Sequence, residues 1–205
     1  MKVAVIDYDA GNTLSVTKAL QKVGADVDLT CDPDRIASAD AVVLPGVGAF
    51  GDCMREIRAR GMDEAAREAF ESGKPFLGVC VGLQILFDGS EEAPDAPGLG
   101  LMPGRVVRFD VSEQKLKVPH MGWNQLSVTR EHPVLGDLDG EAFYFVHSYY
   151  PEPENGDLLG TSGYGGRFCA VAGRENLIAT QFHPEKSSRA GLALYKNFLE
   201  WGRRG

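Results

Sequence analysis

Three short runs of almost uninterrupted apolar residues, KVAVID (2–7), DAVVLP (40–45) and PFLGV (75–79), limit the fold more than anything else in the chain. A strand with one face in water alternates apolar with polar residues, whereas a near-continuous run belongs to a strand covered on both faces. Helical patterns lie between them: LSVTKALQKVG (14–24) stops at Gly24 and FGDCMREIRARG (50–61) at Gly61. Strands alternating with helices imply a parallel sheet joined by right-handed crossovers. From GRVVRF (104–109) onward the pattern changes, and NQLSV, AFYFVHSY, DLLGTS, RFCAVA and NLIATQF follow one another through short Gly, Asn, Asp or Pro turns, as in an antiparallel extension. A closing helix over 188–201 puts Leu192, Tyr195, Phe198 and Leu199 on one face. The expected fold class is α/β, a mostly parallel central sheet flanked by helices with an antiparallel extension in the C-terminal half. With no repeat and no linker, one domain over residues 1–205 is expected.

Composition excludes several function classes. The net charge of −8 argues against nucleic acid as a partner, because phosphate binding needs a basic face. No apolar stretch approaches the roughly 18 residues of a membrane span. The opening MKVAVIDYDAGN reaches Asp7 too soon for a signal peptide's apolar region. Four scattered cysteines without a CxxC pair fit free thiols in a reducing cytoplasm. No metal-ligand set appears, and no metal or other cofactor is expected.

The segment KPFLGVCVGLQIL (74–86) carries the first chemical signal. Gly78-Val79-Cys80-Val81-Gly82 has the form G-x-C-x-G after a strand and before a helix, a nucleophile elbow with sulfur in place of oxygen. A sharp strand-to-helix turn strains the central residue, and side chains two positions either side would collide. The helix start then favours thiolate over thiol. A buried structural cysteine beside a Gly-rich turn is the competing reading, and a partner base has to decide. Of the four histidines, His132 in HPVLGDL suits a turn, while His183 in TQFHPEKS follows a strand with Glu185 two residues on. In extended chain those two side chains share a side, so Glu185 can hold the imidazole while its other nitrogen faces Cys80.

LPGVGAFGD (44–52) raises a second question, since Gly46, Gly48 and Gly51 spell G-x-G-x-x-G between a strand and a helix. A dinucleotide-dependent oxidoreductase is one reading. It lacks its acidic partner: Glu68 and Glu71 fall inside the helical pattern MDEAAREAFESG rather than at a strand end. The other reading is a flexible loop whose Val47 N–H stabilises an oxyanion beside the elbow and whose peptide can flip as a switch.

With GVCVGLQILF, FHPE and PGVGAFG in place, the sequence resembles the class I triad glutamine amidotransferases over essentially its whole length. DYDAGN, PGVGAFG, PHMGWN and YFVHSYY make it most similar to one branch, the glutaminase subunits of imidazole glycerol phosphate synthases. The resemblance implies Cys80 as the nucleophile forming a γ-glutamyl thioester, His183 as base and acid, and Glu185 as its orienter. It implies oxyanion donors at Val47 and Val81, and a substrate pocket using Gly48, Gln84, Glu92, Ser148 and Tyr149. Glu92 suits the α-ammonium group, and the backbone at Ser148 and Tyr149 the carboxylate. It further implies a separate (β/α)₈-barrel cyclase in a one-to-one heterodimer. That cyclase takes the ammonia directly and makes imidazole glycerol phosphate and an aminoimidazole carboxamide ribotide in histidine biosynthesis. Asn12, Met121, Trp123, Tyr144 and Lys186 would lie at that interface, with His120 and His147 in packing or interface roles. Asp9 and Thr13 depart from the branch, whose members usually carry Gly and Leu there; both lie outside the triad. The alternatives are a glutaminase for another synthase and a non-catalytic docking module, against which the intact triad speaks.

Overall fold

The computed structural model describes residues 1–204. The N-terminal half alternates strands and helices: β1 (Lys2–Ile6), α1 (Thr13–Lys22), β2 (Asp26–Thr30), α2 (Pro33–Ala37), β3 (Ala41–Gly46), α3 (Phe50–Ala59), α4 (Met62–Glu71), β4 (Phe76–Cys80) and a single helical turn, α5 (Val81–Gln84). Strands dominate afterwards: β5 (Gly89–Ser90), β6 (Ala93–Pro97), β7 (Gly104–Arg108), β8 (His120–Gln125), β9 (Ser127–Val128), β10 (Ala142–His147), β11 (Tyr149–Pro153), β12 (Leu158–Gly163), β13 (Arg167–Arg174) and β14 (Leu177–Thr180). A 3₁₀ turn (Pro184–Lys186) leads into α6 (Ser188–Gly202).

The main sheet has eight strands in the order β2-β1-β3-β4-β14-β13-β12-β9. Every residue of β3 and β4 is buried, which is why their sequences run apolar without a break. β2, DVDLT, sits at the sheet edge with Asp26 exposed, so the apolar-run criterion passes over it. α2 also carries little periodicity; it is begun by Asp32, whose side chain accepts from the Asp34 N–H at 3.0 Å, and by Pro33 in the first turn.

The C-terminal strands differ from a plain antiparallel extension in one respect that matters. β14 is antiparallel to β13 but parallel to β4, with Thr180 opposite Val79. It therefore belongs to the parallel core, and its C-terminal end emerges beside that of β4. β12, β13 and β9 extend the main sheet in antiparallel fashion, while β8–β10 and β11-β7-β5-β6 form two separate small sheets. α6 buries Leu194, Tyr195, Phe198 and Leu199; Leu194 takes the place expected of Leu192, which is half-buried. Among the described residues no helix is long and apolar enough to cross a membrane.

Asp9, in the first turn, has φ of 61° and an ion pair with Arg60. That left-handed conformation costs most residues about 1 kcal/mol and glycine nothing. Aspartate, with its short polar side chain, tolerates the region better than most residues.

Candidate active site

Cys80 ends β4 with φ of 56° and ψ of −113°, a region closed to most side chains. The turn is held by close packing of backbone on backbone. A Cβ on Gly82 would stand 2.0 Å from the Leu44 carbonyl oxygen, and one on Gly78 would stand 2.9 Å from both Ala179 Cβ and Leu86 Cδ1. The collisions expected two residues either side of the cysteine are thus real. The helix after it is shorter than expected: α5 is one turn, so what it offers the sulfur is free N–H groups rather than a full helix dipole.

His183 reaches Cys80 from β14, and both lie on one cavity of about 600 Å³. Its Nδ1 donates to Glu185 Oε1 at 2.8 Å, and both side chains are almost wholly buried. The pairing is as expected, but not for the expected reason. The chain at 184–186 is a 3₁₀ turn, not extended strand, and the turn swings Glu185 back under the imidazole. Burial pushes the His183 pKa down, but the Cys80 sulfur and the Glu185 carboxylate together outweigh it and carry it up to about 10. His183 Nε2 is buried and bonded to no other group, which leaves it free to face Cys80.

The loop from Pro45 to Ala49 lies against the elbow. The place of a Cβ on Gly46 is filled by the Gly82 N–H and the Tyr8 hydroxyl, and Gly48 needs its φ of +100°. That packing gives the G-x-G-x-x-G stretch no open cradle at its first glycine. Two residues that sequence reasoning passed over anchor the loop. The Tyr8 hydroxyl donates to the Pro45 carbonyl at 2.7 Å, and the Cys53 thiol donates to the Val47 carbonyl at 3.4 Å. Burial raises the Cys53 pKa to about 11, which keeps it a protonated donor. No local motif marks either residue.

Val47, Val81, Gly48, Gln84, Glu92, Ser148 and Tyr149 all line the same cavity. Gln84 is buried, and its amide N–H groups are already committed to the Tyr149 carbonyl at 3.0 Å and Gln181 Oε1 at 3.1 Å. Glu92 accepts the Phe50 N–H at the start of α3 at 2.7 Å, which ties it to the loop through Phe50. Of the residues expected at a partner interface, Met121 and Trp123 are 62% and 54% exposed on β8. Tyr144 lies between the edge of Trp123, 6.1 Å away, and the Lys186 ammonium, 5.9 Å over its ring. Asn12 is closer to the chemistry than expected: its Nδ2 donates to Glu185 Oε1 at 3.2 Å.

A cysteine at positive φ at a strand end, beside a buried His–Glu pair that follows the neighbouring parallel strand, is the arrangement of a triad thiol amidase. The family model "Glutamine amidotransferase class-I" matches residues 4–201, and the chain belongs to that class. Two solved structures share the fold: one titled as a glutamine amidotransferase (TM-score 0.76, 20% identity, 98% of each chain) and the glutaminase domain of Trypanosoma brucei CTPS with bound acivicin (TM-score 0.70, 16% identity, 100% of this chain and 94% of that one). Within the class, the subunit HisH of imidazole glycerol phosphate synthase from Chromobacterium violaceum is 56% identical, and that from Acinetobacter baylyi 50%, each over 98% of both chains. The chain belongs to that subunit family.

Proposed function

We propose that this chain hydrolyses glutamine to glutamate and ammonia and delivers the ammonia to the cyclase subunit of an imidazole glycerol phosphate synthase. The observation that carries the reading is the buried His183–Glu185 pair aimed at a strained Cys80. The Cys80 thiolate adds to the side-chain amide carbon of glutamine, and the oxyanion is met by the Val81 and Val47 N–H groups. The His183 imidazolium gives its proton to the amide nitrogen, the C–N bond breaks, and ammonia leaves a γ-glutamyl thioester. His183, now neutral, takes a proton from water; hydroxide displaces the sulfur, glutamate departs and the thiolate returns. Glu92 receives the substrate's ammonium group, the Ser148–Tyr149 main chain its carboxylate, and Gly48 and Gln84 complete the pocket.

The exposed Met121 and Trp123, with Tyr144 between Trp123 and Lys186 and with Lys186 and Asn12 on the cavity, form the docking face for a (β/α)₈-barrel cyclase in a one-to-one complex. An exposed Trp next to Met has the character of an interface anchor. The cyclase product is imidazole glycerol phosphate, with an aminoimidazole carboxamide ribotide released. Four free cysteines fit a single cytoplasmic domain over residues 1–205. Glutamine turnover should be low for the chain alone, rise with the cyclase and its nucleotide ligand, and vanish in Cys80→Ala. Turnover absent in every combination would leave a docking module instead.

A further inference from the structure

The reaction makes no use of two buried histidines, and they touch. His120 Nδ1 lies 3.0 Å from His147 Nε2, both rings are less than a tenth exposed, and His147 lines the cavity. Neighbouring hydrogen bonds decide which nitrogen carries each proton. Asn124 Oδ1 accepts the Gln125 N–H at 2.9 Å and its Nδ2 donates to the Gly163 carbonyl at 2.7 Å, so the amide orientation is fixed. The same Nδ2 faces His120 Nε2 at 3.3 Å, which must therefore accept. His120 then holds its proton on Nδ1 and donates to His147 Nε2. His147 in turn holds its proton on Nδ1 and donates to the Tyr149 carbonyl at 2.8 Å. Each ring is neutral and every donor points the same way. Burial favours this state, holding His120 near a pKa of about 4 and His147 near about 3. His120 is stacked on Tyr164 at 4.3 Å and Phe109 packs on His147 at 5.1 Å, so neither ring can turn freely.

The chain ends where a carbonyl needs it. β11 is the edge strand of its sheet, and Tyr149 pairs with Arg108 of β7. The hydrogen-bonded pair is the neighbouring one, in which the Phe109 N–H donates to the Ser148 carbonyl at 3.1 Å. Antiparallel pairs alternate, so the N–H and C=O of Tyr149 both face the outer edge of the sheet. There the carbonyl takes two donors, His147 Nδ1 and Gln84 Nε2. The doubly held carbonyl fixes the Tyr149–Tyr150 peptide, and the Phe109 N–H on the Ser148 carbonyl fixes the peptide before it; Tyr149 is thus set between two held peptides, and its N–H keeps its direction.

We propose that His120 and His147 are positioning residues for glutamine: a one-way hydrogen-bond relay from Asn124 that fixes the Ser148–Tyr149 main chain against which the substrate carboxylate binds. The proposal rests on the assignment of that main chain to the carboxylate. It explains why the PHMGWN and FVHSY segments each carry a histidine that never meets the reacting atoms.

The test is glutamine kinetics on the complex of this chain with its cyclase and nucleotide ligand, beside nitrogen NMR of the histidine rings in the unmodified protein. His147→Leu removes the donor to Tyr149 and should raise KM for glutamine about tenfold with kcat within about threefold, because ground-state positioning is lost and the triad is intact. His147→Asn, whose amide nitrogen falls near Nδ1, should recover KM to within about threefold of the unmodified value. His120→Leu breaks the relay one ring earlier and should raise KM by a smaller factor. At pH 7 both rings should show protonated Nδ1 and bare Nε2. An unchanged KM in His147→Leu, or a proton found on Nε2 of either ring, would overturn the proposal; the NMR arm needs no variant to fold. Absence of glutamine turnover in the unmodified complex would instead be a failure of the functional reading beneath it.

Discussion

Replacing Glu185 by glutamine separates the charge of the triad from its shape. The carboxylate oxygen that faces His183 lies 2.8 Å from Nδ1, and Asn12 shares it at 3.2 Å. Glutamine keeps an oxygen there, so the ring stays oriented and its tautomer unchanged; what disappears is the negative charge opposite the imidazolium. With the charge centres about 4 Å apart and an effective dielectric of about 20, that interaction is at most about 4 kcal/mol. The Cys80 sulfur contributes more to the raised His183 pKa than this charge does, so removing the charge takes away only part of the rise and lowers kcat by about a hundredfold. The sign is definite. A pKa raised to about 10 gives a contribution complete below the unfolded value and lost as pH rises through about 10. In Glu185→Gln the alkaline limb of the kcat profile moves toward neutral pH. Stability should fall as well: a lowered His183 pKa gives up part of that contribution, and the amide nitrogen that takes the place of Oε2 is a buried donor without a partner, so the melting temperature should drop while the chain stays folded at the assay temperature. The assays are steady-state glutamine turnover across pH for the cyclase complex, and thermal melting of the chain. A kcat within threefold of the unmodified enzyme would refute the electrostatic role. An activity loss that disappears when turnover is normalised to folded protein would show the carboxylate to be structural.

Three further outcomes follow from other parts of the molecule. Trp123→Ala, on an exposed strand face, should leave the unfolding free energy within about 0.5 kcal/mol and weaken cyclase binding by about 2 kcal/mol in a titration; equal affinity would remove Trp123 from the interface. Tyr8→Phe leaves the buried Pro45 carbonyl without its donor, costing about 1–3 kcal/mol in urea unfolding and lowering kcat through the loop; a neutral result would mean that the loop needs no such anchor. Burial depresses the pKa of His132 and His120 to about 4 and that of His147 to about 3, so the unfolded chain takes up protons that the folded chain refuses below pH 6.5. The contribution of these three histidines should thus be complete above pH 6.5 and fall as pH drops toward 4, by about 1.4 kcal/mol per pH unit for each proton, and identical urea midpoints at pH 5 and 7 would contradict this.

The sequence displays most plainly whatever the hydrophobic effect writes locally. β1, β3 and β4 are legible because burial on both faces forbids polar residues, and the elbow because Gly78 and Gly82 mark backbone packed on backbone. β2 is an edge strand with two aspartates, and α2 is held by a cap rather than a stripe, so neither leaves a periodic trace. Tyr8 and Asn12 act through single hydrogen bonds to groups far along the chain, and Cys53 through one to a main-chain carbonyl six residues back. Such contacts have no signature in spacing; only the folded arrangement reveals them.

The strand NLIATQF shows how a correct grouping can rest on an incomplete topology. Placed among antiparallel strands alone, it has no defined reason to end beside Cys80. Its parallel pairing with β4 supplies one, because parallel neighbours release their chains at the same edge, and open α/β sheets gather their sites at the carboxyl ends of such strands. The register sets Thr180 against Val79, so β4 reaches its end at Cys80 while β14 continues through Gln181 and Phe182 to His183. Phe182 is fully buried and stacked on Phe143 at 4.0 Å, which fixes the chain just before the base. Pro184 then begins the turn that brings Glu185 back beneath the ring. The placing of Cys80, His183 and Glu185 around one cavity thus depends on one strand being shared between the parallel and antiparallel parts of the sheet. A change that loosened β14 from β4 would separate Cys80 from His183 while leaving the His183–Glu185 hydrogen bond intact, since that bond is local to the turn.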